Sequence, residues 1–108
     1  MATIKDPSGT IIGEVAIVQY PFTPLSPGQH NLACTSATGL TVPAGAIYAV
    51  IQAAGATVKY TTDGTTTPTS SVGMTLAAGA TLTLSGAAAI ANFKAISASG
   101  TLDIEYFQ

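Results

Sequence analysis

Short runs of alternating apolar and polar residues, cut apart by Gly, Pro, Ser and Thr, commit this 108-residue chain to sheet rather than helix. Side chains along a strand alternate between faces, so each run sorts its own residues. Residues 101–106 put Leu102, Ile104 and Tyr106 on one face and Thr101, Asp103 and Glu105 on the other. Thr81, Leu82, Thr83 and Leu84 alternate in the same way, and residues 57–62 set Val58 and Tyr60 inward against Thr57, Lys59 and Thr61 outward. Residues 11–20 are rich in Ile and Val on both faces, and residues 29–35 read as a short strand. Residues 46–53 are apolar on both faces, with Ile47 and Ile51 opposing Tyr48 and Val50, which suits a central or covered strand.

Two segments need a decision. Residues 20–28 carry Pro21, Pro24 and Pro27 and are expected to form a loop, because proline donates nothing to a strand ladder. Residues 88–96 are alanine-rich, which favours helix, yet Phe93, Ile96 and the flanking Gly86 and Gly100 favour a strand, and a strand is expected there. No Ser/Thr-x-x-Glu box precedes a 3.6-residue period. The expectation is an all-β chain: one β-sandwich, jelly-roll or Ig-like, of seven or eight short antiparallel strands over residues 11–108. An N-terminal arm, residues 1–10, precedes it and is either frayed or ordered on a partner.

Composition narrows the function. Only 7% of residues are charged, against about 25% in an average soluble domain. Hydrophobic residues make up 47%, mean hydropathy is +0.47 and net charge is −2. Disordered chains are poor in apolar residues, so disorder is disfavoured. Three scattered basic side chains, Lys5, Lys59 and Lys94, are too few to neutralise a phosphate backbone, so no nucleic-acid partner is expected. No run approaches the twenty apolar residues of a membrane helix, and the N-terminus lacks the apolar core of a signal peptide, so no membrane partner is expected. The residues of acid–base chemistry are nearly absent, so no enzyme, cofactor or metal site is expected. So apolar a chain reads as an obligate assembler that hides part of its surface on a partner.

His30 and Cys34 would share a strand face, but at about 13 Å they stand beyond catalytic reach. Asp103 and Glu105 form the one carboxylate pair capable of glycoside chemistry. More plainly, they keep an outward face solvated and discourage edge pairing. Asp63 and Gly64 signal a turn opening a hydroxyl-rich loop that extends to Gly73, either solvated or in contact with a ligand or partner. Tyr20 and Phe22 flank Pro21 and either anchor an interface or cap one end of the sandwich. Residues 41–50 and 75–84 echo each other around Ala44-Gly45 and Ala78-Gly79, which reads as shared turn chemistry rather than a repeat array.

Residues 46–106 resemble small structural domains of tailed bacteriophages. The correspondence runs through the apolar strand of residues 49–53 and a V-x-Y-x-x-D-G-x-x-x-P-T segment at residues 58–69. It continues through V-G-M-x-L-x-A-G-x-T-L-T-L at residues 72–84, the segment of residues 89–100 and the closing T-L-x-I-x-Y at residues 101–106. The resemblance implies a virion structural protein, foremost a capsid decoration (cement) protein that binds the major capsid protein on the virion surface as a homo-oligomer, a trimer by likeness. The alternative it implies is a carbohydrate- or receptor-binding β-module of a head or tail fibre, using Tyr60 and the loop of residues 63–69. Such a protein is made in the host cytoplasm. The residues expected to contact the partner are Ile4, Ile11 and Ile12 of the N-terminal segment, with Tyr20, Phe22 and Leu25 around the proline-rich stretch.

Overall fold

The computed structural model describes residues 2–5, 11–15 and 23–108, the first two segments as backbone strands only. Its last strand, β10 (Thr101–Phe107), runs between β3 (Pro24–Ala33) and β5 (Tyr48–Ala54), and β8 (Thr81–Ser85) completes that sheet. The second sheet is ordered β4 (Thr38–Gly39), β9 (Lys94–Ile96), β6 (Val58–Thr61), β7 (Met74–Leu76). Every pairing is antiparallel.

The pairs β3–β10, β4–β9, β5–β8 and β6–β7 nest inside one another like the rungs of one long ribbon. The ribbon is rolled until β10 meets β5 and β9 meets β6. Eight strands wound in this way form a jelly roll, one of the two sandwich types expected from the sequence. Rolling joins distant parts of the chain without leaving β10 or β5 at an edge.

The core is what period-two alternation selects. Ala49, Ile51 and Ala53 of β5 and Leu102, Ile104 and Tyr106 of β10 are fully buried; Val58, Leu76, Leu84 and Ala95 join them from the other strands. Each fully buried large apolar side chain contributes about 1.5–3 kcal/mol. Gly45 (φ +86°) and Gly79 (φ +83°) take up the left-handed backbone that the third position of a tight turn requires. The turns close through Ala46 N–H to Pro43 O and Ala80 N–H to Ala77 O, and they deliver the chain into the neighbouring strands β5 and β8. The internal echo is therefore one turn used twice.

Three expectations need correction. The proline-rich stretch is not all loop: β3 begins at Pro24 and includes Pro27 and Gly28. Strand β3 lies at a sheet edge, where a missing N–H costs least, and its register against β10 shifts twice, between Leu102 and Ile104 and between Ile104 and Tyr106. The segment expected as one strand over residues 88–96 is instead a short helix, α1 (Ala87–Asn92), followed by β9. The alanines form the helix and bury only Ile90, Phe93 turns to extended backbone, and the apolar signal at Phe93 and Ile96 belongs to the strand. Thr61 faces outward by alternation yet is buried, because the following loop folds back and Thr61 Oγ1 donates to Thr66 O at 2.7 Å.

Ahead of the sandwich, β1 (Ala2–Lys5) and β2 (Ile11–Val15) pair as a two-stranded sheet of their own. Ile4 lies opposite Gly13 and Lys5 opposite Ile11, so a register shift leaves Ile12 unmatched. Residues 11–15 thus pair with residues 2–5 of the expected arm.

Candidate functional site

Alternation along β10 and β5 turns Asp103, Glu105, Val50 and Gln52 onto the outer face of the first sheet. The register aligns them in rows: Asp103 beside Gln52 and then Thr81, Glu105 beside Val50 and then Thr83. At one end Tyr48 and Phe107 lie side by side, their rings 6.0 Å apart and edge to face. From the other flank β3 brings His30 and Asn31 over the sheet. His30 Nδ1 is 3.5 Å from Asp103 Oδ1, and the same oxygen accepts the Asn31 N–H at 2.9 Å. Asn31 takes a left-handed φ of +54° to make that approach.

His30, Asn31, Val50, Gln52, Thr81 and the two carboxylates line an open groove of about 520 Å³. Both carboxylates stand on it as expected, but on a central strand, so they do not protect a sheet edge. Their function there is to make the face acidic. Glu105 is exposed, and its carboxylate has no partner among the described residues. The sequence pointed to Asp103 and Glu105, and to His30 only as a partner for Cys34, but not to Gln52, Asn31 and Thr81 beside them. Gln52 was legible, as the polar residue between Ile51 and Ala53.

The outer face of the second sheet carries the opposite charge. Ala95 is buried, so its neighbours Lys94 and Ile96 point outward, and Lys59 stands opposite Ile96. Lys59 Nζ donates to Thr75 Oγ1 at 2.7 Å, leaving two of its three donors. A second groove, about 490 Å³, runs past Lys59 and Ile96 to Thr57, Thr69 and Ser70.

The loop of residues 62–73 is occupied with itself. Asp63 Oδ2 accepts the Thr66 hydroxyl at 2.5 Å, and Oδ1 accepts the Thr66 and Thr65 N–H groups at 2.8 and 3.0 Å. The hydroxyl bond first, then the two amides, hold its carboxyl down at about 2. Thr69 Oγ1 caps Ser71 and Val72, and Pro68 is fully buried. Met74 and Val72 remain exposed at this end of the ribbon.

His30 and Cys34 are not brought together for chemistry. His30 is exposed on the first sheet, whereas Cys34 is fully buried, its thiol donating to Gly100 O at 3.8 Å and pushed up by burial. Among the described residues no three His, Cys, Asp or Glu side chains gather as a metal site, and no helix is long and apolar enough to cross a membrane. Of the expected partner contacts, Ile4, Ile11 and Ile12 fall on β1 and β2, and Tyr20 and Phe22 lie outside the described residues. Leu25 is half-buried and packs against the sandwich core. No protein-family model, curated protein or solved structure gives a significant match to this chain.

Proposed function

We propose that this chain is a structural protein of a tailed-bacteriophage virion: a decoration protein that coats and stabilises the assembled shell of the major capsid protein. The observation that carries the reading is the separate sheet formed by β1 and β2. An isolated two-stranded hairpin is marginally stable at best, because each strand leaves one edge of N–H and C=O groups unpaired. Those edges suit strand addition by a partner, which satisfies the backbone whatever the side chains are. The jelly roll behind it is an architecture shared by viral capsid domains, an argument by analogy of fold. Binding the assembled shell alone stabilises it by mass action, about 2.7 kcal/mol per site at a hundredfold excess over Kd.

The test is co-sedimentation of the full chain, and of a chain lacking residues 2–15, with shells assembled from the major capsid protein. Saturable binding of the full chain, weakened at least about tenfold by the deletion, is the expected result. Equal occupancy by the shortened chain overturns the assignment of the hairpin. No binding by either overturns the function.

The receptor-binding alternative draws less support from its chosen loop. Asp63 spends its carboxylate on Thr65 and Thr66, and Thr69 its hydroxyl on Ser71 and Val72, so only Tyr60 and Met74 leave an apolar recess beside them, about 240 Å³.

A further inference from the structure

The sandwich strands carry four charged side chains, and rolling the ribbon sorts them by sign. Asp103 and Glu105 both stand on the outer face of the first sheet; Lys59 and Lys94 both stand on the outer face of the second. Alternation fixes which way each points, but only the jelly-roll pairing decides that β10 lies in one sheet while β6 and β9 lie in the other. The result is a slab that is acidic on one side and basic on the other.

We propose that the acidic face binds the basic face of a second copy of this chain. The spacings match. Asp103 and Glu105 are two residues apart on one strand, about 7 Å. Lys94 is opposite Thr61 and Lys59 opposite Ile96, so the two lysines are diagonal neighbours on adjacent strands, about 7–8 Å apart. Two ammonium groups thus meet two carboxylates without either strand pair changing register. The groove on the acidic face admits the lysines, and Gln52 and Thr81, which also line it, offer oxygens to their remaining donors. Lys94 and Glu105 have no partner among the described residues, so neither gives up an existing bond. Val50 on one face and Ile96 on the other supply the apolar contact.

Size and direction set the expected behaviour. The smaller sheet sets the contact: β4, β9, β6 and β7 run only two to four residues, so at about 4.8 Å between strands the basic face spans roughly 200 Å² in projection. That places the contact among small, transient interfaces, with charge pairing governing its rate and salt dependence. The two faces also point in opposite directions, so repeating the contact generates an open row, not a closed ring. The trimer implied by the resemblance would need a different surface. The contact holds whether or not the protein coats a capsid, and it is tested with no capsid present.

The experiment is sedimentation equilibrium on the full chain and two charge-reversed variants, with near-ultraviolet circular dichroism to verify folding. At low salt the weight-average mass of the parent should climb steadily with concentration, without a plateau. Raising salt from about 50 to about 500 mM should weaken association at least about tenfold. The double variant Asp103→Lys with Glu105→Lys, and separately Lys59→Glu with Lys94→Glu, should each remain monomeric. Mixing the two variants in equal amounts should restore association, because one is then basic on both faces and the other acidic on both. Should a reversal disturb folding, Glu105→Gln and Lys94→Gln each remove one charge from an exposed position, and each should weaken association at least several-fold. A parent that stays monomeric into the millimolar range overturns the proposal. So does a plateau at a fixed trimer mass, or folded variants that associate as the parent does.

Discussion

Tyr106 and Gln29 are joined by a 2.5 Å hydrogen bond in which the tyrosine hydroxyl donates to the carboxamide oxygen. The same oxygen accepts the N–H of Thr41 at 3.0 Å. One half-buried amide thus ties the central strand β10 and the edge strand β3 to the segment that follows β4. The ring of Tyr106 is fully buried, so its hydroxyl depends on that partner.

Removing either side of this bond should have unequal effects. Tyr106→Phe deletes the donor and leaves Gln29 still bonded to Thr41, a loss of about 1–1.5 kcal/mol. Gln29→Ala leaves a buried hydroxyl and the Thr41 amide without their acceptor, which should cost about 2–3 kcal/mol. Urea denaturation of the two single variants and the double variant measures both values. Because the residues touch, the double variant should lose less than the singles combined.

At Gly28 the packing of β3 against β10 leaves no room for a side chain. A Cβ placed there would lie 2.8 Å from the carbonyl oxygen of Ile104, which is backbone and has no room to yield. Gly28→Ala should therefore force the edge strand outward and destabilise by about 1–3 kcal/mol. Amide exchange should accelerate along Pro24–Ala33 more than along Tyr48–Ala54. Uniform loss across both strands would argue against a local clash.

Gly28 and its neighbouring prolines also mark where reading the sequence stops working. Alternation located β5, β8 and β10 because their inner residues meet a core at every second position. It misread β3 because proline is acceptable in a strand only at an edge, and edge or centre is decided by which distant strands pair. It misread α1 because six residues with one buried side chain, Ile90, are too few to display a helical period. The outward polarity of Lys59, Asp103 and Glu105 was visible from the start. Their separation onto opposite sheets was not, since it follows from the rolled topology.

Asp63 should resist acid. Its carboxyl is held down at about 2 by the Thr66 hydroxyl and the Thr66 and Thr65 amides, against an ordinary value near 3.8. A lowered folded value means the loop gains its full support above about pH 4 and loses it as pH falls through 2. A carboxyl titration followed by NMR should show Asp63 charged below pH 3. In Asp63→Ala the amides of Thr65 and Thr66 should exchange faster at neutral pH while the core strands keep their protection. An ordinary titration near 3.8 would show that these bonds do not hold in solution.

Alkaline stability tests the Tyr106 site from the other side. Burial pushes its hydroxyl up to about 12 from an ordinary value of 10. The unfolded chain therefore releases this proton first. Above pH 10 the folded state binds more protons than the unfolded one, so stability falls as pH rises, and the contribution is fully present below pH 10 and lost by pH 12. The loss from this residue should be on the order of 2 kcal/mol. Tyr106→Phe starts less stable at neutral pH but has no such proton to lose, so its stability curve should be flatter between pH 10 and 12 and approach that of the parent. Parallel curves for the two proteins would mean that the hydroxyl is reached by solvent and that the tie to Gln29 is not maintained.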